Sequence, residues 1–430
     1  MTSLQSWNEA DALELVRKCV SREIPSGVSV PHDEEDLVKT EVIDSMGWVG
    51  ILSAIEEATG IRNFGNAWPA DLPQSICSLA EMVCGSISRT AQEGVGENVA
   101  SPSGATVEVA LLGWGCALGS VHVEAASIDR ECGLAPGTLE ERAGIQSVCR
   151  ADANEDEVTL GQKASELALQ AAGLEPEEVD MVIATSATLL SFPSLSALLH
   201  THLLLRESCG TLDVGGACVG LLHGLAAARA FLSSTRRRVA LVVASEVHSR
   251  RLCSPRVPGE FRGLFGDGAC ALVLRCSNDR TRQGHVRLGD FVWGCSGTFA
   301  SSLHVAMRAN NELEVDFRGE ALAGAALSQL ACIIDDLEGR SGKRRDEVDC
   351  FAIHEPNPRL VELLALRAKI PLEKIPLVSR TCGNLGSVTC GASLCTALSR
   401  IAAHSPAPRL PLIFLAAVGP GLIWGGTYLH

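Results

Sequence analysis

From residue 107 to the end, short apolar runs alternate with small-residue helical stretches, and the round is completed twice. Strands are expected at 107–114, 180–188, 211–214, 239–245 and 270–274. Further strands are expected at 286–293, 348–353, 411–417 and 422–429, with helices at 159–172, 195–205, 320–337, 359–368 and 391–403 between them. Such alternation predicts an α/β domain with largely parallel, buried sheets, in halves of about 107–280 and 281–430. Aromatic residues are only 4% of the chain against 46% hydrophobic, which fits helices packed through Ala, Gly, Leu and Val.

Three chemically capable residues fall at ends of these strands. Cys218 follows the run from Gly210, read as a short buried strand, and opens an apolar helix after Gly215 and Gly216. A thiol at a helix start meets unpaired backbone N–H groups and the positive end of the dipole, so the thiolate is expected to be favoured. His354 ends the strand 348–353, with Asn357 three residues on, and Asn384 sits between Gly383 and a second small-residue helix. Strand ends are where open α/β sheets bind ligands. The bland alternatives are a packed cysteine among the 17 in the chain, a satisfied histidine and a turn asparagine.

The chain from about Val107 resembles the thiolase superfamily, and within it the ketoacyl-acyl-carrier-protein synthase III-like condensing enzymes. Gly216-Ala217-Cys218-Val219-Gly220 is similar to their nucleophile segment. His354-Glu355-Pro356-Asn357-Pro358-Arg359 resembles their His-x-x-Asn-x-Arg motif, and Gly383-Asn384 their Gly-Asn motif. Phe265-Gly266-Asp267-Gly268-Ala269 and Val418-Gly419-Pro420-Gly421 resemble their Gly-Asp-Gly-Ala turn and terminal Gly-rich hairpin. The resemblance implies a duplicated five-layer fold, a homodimer and a Cys218, His354, Asn384 triad. It also implies substrate roles for Phe265, Asn357 and Arg142. Two departures stand out: no tryptophan precedes Arg142 to stack on coenzyme A, and Glu355 and Pro356 replace the usual pair after the histidine.

Residues 1–88 read as a separate small all-α bundle, with residues 89–106 as a Gly/Ser-rich linker. Residues 1–89 carry 14 acidic and 6 basic side chains, a net of −8 out of −15 for the chain. Asp44-Ser45-Met46 opens an amphipathic helical pattern and resembles the attachment motif of acyl carrier proteins. The resemblance implies 4′-phosphopantetheine on Ser45, added by a phosphopantetheinyl transferase; a helix-capping serine is the plain alternative.

The acidic balance argues against a nucleic-acid partner. No basic patch precedes a long apolar stretch, and no uninterrupted apolar run reaches the ~18 residues of a membrane span. Reduced thiols in a cytoplasm, and no metal site, are therefore expected. Condensation of an acyl group on Cys218 with a malonyl or ketoacyl thioester, carried on coenzyme A or a carrier protein, is the leading expectation. Acyl transfer to a hydroxyl or amine stands beside it, as does a non-catalytic partner subunit, which retention of Cys218 disfavours. His223 and His248 are read as structural, Glu246 is ambiguous, and Arg236–Arg238 are read as a solvated helix end.

Overall fold

The computed structural model describes residues 9–24, 28–35, 37, 43, 45–59, 75–90, 108–235, 237–252, 257–277, 285–301, 303–307, 313–317, 319–403 and 410–430. Asp44, Val107, Arg236 and residues 91–106 of the stretch read as a linker lie outside these, as do the side chains of Ser45, Trp48 and Val49.

Among the described residues three helices come first: α1 (Glu9–Glu23), α2 (Ser45–Thr59) and α3 (Ile76–Thr90). Each buries residues at helical spacing: Ala12, Val16 and Val20; Ile51 and Ile55; Ile76, Leu79 and Val83. An Arg17–Asp33 ion pair ties the charged loop back to α1.

The larger part begins with β1 (Glu108–Leu118), β2 (Val121–Glu124), α4 (Ala125–Cys132), β3 (Ser147–Arg150), α5 (Glu157–Ala172) and β4 (Met181–Thr185). It continues through α6 (Leu195–His202), β5 (Gly210–Asp213), α7 (Gly220–Ser234), β6 (Val239–Val247), α8 (His248–Arg251), α9 (Gly259–Arg262) and β7 (Asp267–Ser277). The second round holds β8 (Val286–Arg287), β9 (Val292–Cys295), β10 (Leu303–Met307), β11 (Leu313–Phe317), α10 (Gly319–Ser341) and β12 (Cys350–Ile353). It closes with α11 (Pro358–Arg367), α12 (Ser379–Cys382), α13 (Thr389–Ala403), β13 (Ile413–Gly419) and β14 (Ile423–Leu429).

Two main sheets form, in strand orders β5-β4-β6-β7-β1-β8 and β12-β13-β14-β9. Strand alternation assigns their faces. In β6, Leu241 and Val243 pack with α5 and α6, whereas Ala240, Val242 and Ala244 face α7 and α13. In β13, Ile413 and Leu415 join that same middle layer, while Phe414 and Ala416 face α10 and α11. The layers are therefore helix, sheet, helix, sheet, helix. Approach in the middle is close: a Cβ on Gly391 of α13 would lie 2.1 Å from Cys270 Sγ on β7. The stretch Ala217–Ser234 is apolar and long enough to cross a membrane by composition. Here it supplies the middle layer, with Leu221, Leu222 and Leu225 buried between the sheets.

Three sequence expectations need correction. The sheets are mixed: only β5–β4–β6 and β12–β13 pair in parallel, because β7 and β14 return antiparallel to their predecessors. The run 286–293 splits into β8 and β9 in different sheets, its turn clamped by Arg229 on Gly289 O and, at 3.0 Å, Asp290 Oδ1. The strand before Cys218 is an exposed edge, since β5 pairs only with β4. The β10–β11 hairpin was not expected at all.

Candidate active site

Cys218 sits where a strained turn feeds a helix between the two sheets. Gly216 has φ 141°, and a Cβ there would lie 2.4 Å from His223 Nδ1. Ala217 follows at φ 45°, left-handed for a residue with a side chain. The 3-10 turn Ala217–Val219 then runs into α7. Across from it, the end of β13 closes in: a Cβ on Gly419 would lie 3.4 Å from Cys218 Cβ. The thiol does not behave as its helix-start position implies. Burial, followed by the charge of Glu246, pushes the Cys218 pKa up to about 12, and its backbone hydrogen bond only partly opposes this. Resting Cys218 is a neutral thiol.

His354 follows β12, its backbone N–H donating to Ala416 O at 2.8 Å. The ring is buried, and its Nδ1 has no hydrogen-bond partner among the described residues. Burial, with His248 second, lowers its pKa to about 4, so the ring is neutral near pH 7. A neutral imidazole offers one donor and one acceptor.

Asn384 is held from three sides. Its backbone N–H donates to Leu264 O at 2.8 Å, and its carbonyl accepts from Gly266 N at 3.0 Å. Its Oδ1 accepts from Gly386 N at 2.9 Å and from Thr389 Oγ1 at 3.5 Å. With the acceptor end occupied, the amide NH₂ remains as the donor this residue brings to the pocket.

One pocket gathers Cys218, His354, Asn384, Phe265 and Asn357. Its remaining wall is largely apolar and includes Phe261, Leu303, Leu327, Leu330 and Leu364. The Phe265 ring packs at a tilt against His248, centroids 4.7 Å apart, and against Phe261 at 5.0 Å. Asn357 caps α11, its Oδ1 accepting from Leu360 N at 2.9 Å, which fixes the loop after His354. Arg142 is not among the pocket-lining residues; it is exposed and lies 3.8 Å from Glu260. Ser45 is the first residue of α2. Arg237 engages Asp180 and Ser208 O. His223 Nδ1 lies 2.9 Å from Gly215 O, and His248 Nδ1 3.1 Å from Gly266 O.

Glu246, ambiguous in sequence, is an organising residue. Fully buried at the end of β6, it accepts from Ser387 Oγ at 2.6 Å, Ala187 N at 2.9 Å and Thr188 N at 3.1 Å. It thereby joins the loop after β4 to the turn carrying Asn384. Glu355, the departure next to His354, is also fully buried and points to α12, accepting from Ser379 N at 2.8 Å. Burial raises its pKa.

Two family models match the chain: 3-oxoacyl-[acyl-carrier-protein (ACP)] synthase III over residues 212–297, and its C-terminal counterpart over 339–430. A β-ketoacyl-[acyl-carrier-protein] synthase III of Ehrlichia ruminantium is 31% identical over 294 residues, 66% of this chain and 87% of that protein. One of Sphingopyxis alaskensis is 29% identical, covering 74% of this chain and 98% of that protein. The solved 3-oxoacyl-[acyl-carrier-protein] synthase III of Aquifex aeolicus superposes with a TM-score of 0.67 at 24% identity, over 75% of this chain and 99% of that one. The priming β-ketosynthase of the R1128 polyketide pathway gives 0.67 at 23% identity, over 77% and 98%. The layered fold is thus thiolase-like, and the chain belongs to the β-ketoacyl-[acyl-carrier-protein] synthase III family of condensing enzymes.

Proposed function

We propose that this condensing enzyme joins an acyl group held on Cys218 to a malonyl thioester, with His354 and Asn384 completing a triad. The observation that carries this reading is the sharing of one apolar pocket by a thiol, a neutral imidazole and an amide whose oxygen is already bonded.

In the first half-reaction the Cys218 sulfur attacks the donor's thioester carbonyl. A thiol with a pKa near 12 does not ionise ahead of attack, and His354, with its pKa near 4, is too weak a base to remove the proton beforehand, so the proton leaves sulfur in concert with S–C bond formation. The new S–C bond forms, the donor's C–S bond breaks, and the proton passes to the departing thiolate. In the second half-reaction the bond from the malonyl α-carbon to its carboxylate breaks, releasing CO₂. The electron pair moves onto the thioester oxygen, where His354 N–H and the Asn384 NH₂ stabilise the enolate. The α-carbon then attacks the acyl carbonyl, the acyl C–S bond breaks, and Cys218 leaves as a thiolate that takes a proton from solvent. The apolar wall suits a hydrocarbon acyl chain. Asn384 favours condensation over transfer to a hydroxyl or amine, because plain transfer has no enolate to stabilise.

The three N-terminal helices are proposed as a carrier module, with 4′-phosphopantetheine on Ser45. The site fits such a group: Ser45 opens a 15-residue helix, whose first N–H groups suit a phosphate. When bound, that group supplies a thiol that carries acyl chains as thioesters. Incubation with a phosphopantetheinyl transferase and coenzyme A, read by intact mass, tests this, with Ser45→Ala as control. A homodimer is proposed through the β5 edge, on which Leu212 is exposed, with the exposed Leu190 and Phe192 of the segment between β4 and α6 as further apolar surface; sedimentation velocity tests it.

The central experiment supplies an acyl thioester and a malonyl thioester, and follows CO₂ and product mass. Loss of both in Cys218→Ala and Asn384→Ala supports the triad. Acyl-Cys218 forming while malonyl stays intact in the wild type overturns the condensation reading.

A further inference from the structure

The N-terminal helices pack on the outer helical layer, on a helix that also walls the pocket. Leu52 and Ile55 of α2 belong to the same apolar cluster as Leu327 and Leu330 of α10. A Cβ on Gly324 would lie 3.4 Å from Leu52 Cδ1, so the two helices meet where α10 has no side chain. Four residues further along each helix, Ser328 Oγ lies 3.4 Å from Glu56 Oε1. Arg367, the last residue of α11, forms an ion pair with Glu56 and donates to Ser328 Oγ at 3.0 Å. Both charged side chains are largely buried there, at 14% and 12% exposed, unlike the more solvated surface pairs such as Arg344–Asp346.

Matching steps of four residues mean that α2 and α10 run in the same sense. Ser45 lies seven residues before Leu52, about 10 Å along the axis by helix rise. Gly319, the first residue of α10, lies five residues before Gly324, about 7 Å. Ser45 is thereby set at the N-terminal end of α10. The pocket wall starts at that same end with Ala323 and continues through Ala326, Leu327 and Leu330.

We propose that α10 and the end of α11 form a seat for the chain's own N-terminal module, latched by Glu56 and Arg367, from which the module presents the acyl donor to Cys218. This rests on the carrier reading of Ser45. It also gives the donor a route that does not use the missing coenzyme A stacking tryptophan. In the transfer, the Cys218 S–C bond forms as the donor C–S bond breaks, and the Cys218 proton ends on the released thiol.

Two readouts on the full chain test it. Small-angle scattering of the unmodified protein reads docking with nothing on Ser45. Glu56→Arg is expected to enlarge the radius of gyration, and Glu56→Arg with Arg367→Glu to restore it. Single-turnover acylation of Cys218, followed by intact mass, is run from a donor on Ser45 and from free acyl-coenzyme A. Glu56→Arg should slow loading from Ser45 about tenfold or more, as the advantage of a seated tether is lost. The exchanged pair should recover it, with loading from acyl-coenzyme A unchanged throughout. Glu56→Gln, which keeps the side-chain shape, serves if the exchanged pair does not fold, and should move both readouts the same way. An unchanged radius of gyration, unchanged loading from Ser45, or a loss that a folded exchanged pair fails to restore overturns the proposal. If Ser45 accepts no arm, the carrier reading and the donor step fall together, while the scattering result still decides whether the latch holds the module.

Discussion

Asn384 pairs with Phe265 as an isolated parallel β-bridge. The amide donor of the pocket is thus stitched, through Leu264 O and Gly266 N, to the turn that places an aromatic ring in the same pocket. The bridge fixes the backbone of Asn384, and Gly386 N and Thr389 Oγ1 fix its side-chain oxygen. A donor so constrained faces its target without reorganising, which is the condition for strong stabilisation of developing charge.

Asn384→Asp separates the two half-reactions. An ionised carboxylate has no N–H and repels an enolate. Decarboxylation should fall about 10²–10³-fold. Acylation of Cys218, which does not use the Asn384 NH₂, should change little. Stopped assays of CO₂ release beside intact-mass measurement of acyl-enzyme check this. Equal loss of both steps would place Asn384 in the first half-reaction as well.

His354 leaves a signature in stability. Its pKa is about 4 in the folded protein and near 6.5 when unfolded, so the unfolded chain binds more protons between those values. Stability therefore rises with pH across that window and is lost as pH falls from about 6.5 toward 4. The shift corresponds to about 3 kcal/mol. Urea unfolding at pH 4.5 and pH 7 should differ less in His354→Asn than in the wild type. The acid limb of the rate profile should lie near pH 4 rather than 6.5.

Cys218 and His354 were legible because each follows a short strand, and Asn384 because it lies in a Gly-flanked turn; the strand expected before Asn384 is in fact the short helix α12. The protonation state of Cys218 was not. A helix start can be read from local sequence, but the enclosure of the sulfur and the charge of Glu246 come from distant segments. The same holds for β5: its place in the strand–helix alternation suggests burial, and only the strand order reveals an edge. Mixed pairing was hidden because a strand's direction is set by its connection, not its composition. The Glu56–Arg367 contact had no sequence signal, since both letters are ordinary on helix surfaces.

Pocket length can be tested at Leu327, which lines the cavity from α10 and is buried. Leu327→Phe adds volume inside an apolar wall. Each methylene of a fitted chain is worth about 1–3 kcal/mol, so long donors should lose more than tenfold in kcat/KM. Acetyl transfer should persist. A panel of acyl thioesters of increasing length checks the break point, and a uniform loss across the panel would place the chain elsewhere.

Glu246 links the reactivity of the nucleophile to the integrity of the site. Its charge raises the Cys218 pKa, and its oxygens hold Ser387, Ala187 and Thr188. Two consequences follow for Glu246→Gln. The neutral amide no longer opposes thiolate formation, so alkylation of Cys218 by iodoacetamide should speed up at a fixed pH of 8–9. In the wild type that rate should climb without a plateau up to at least about pH 10, since the thiol titrates near 12. The amide also weakens charge-assisted hydrogen bonds, worth about 1.5–3 kcal/mol each, so melting temperature should fall. Site-resolved mass spectrometry separates Cys218 from the other 16 cysteines. Faster Cys218 labelling with slower condensation would show that Glu246 serves the reaction through the Asn384 turn rather than through the thiol.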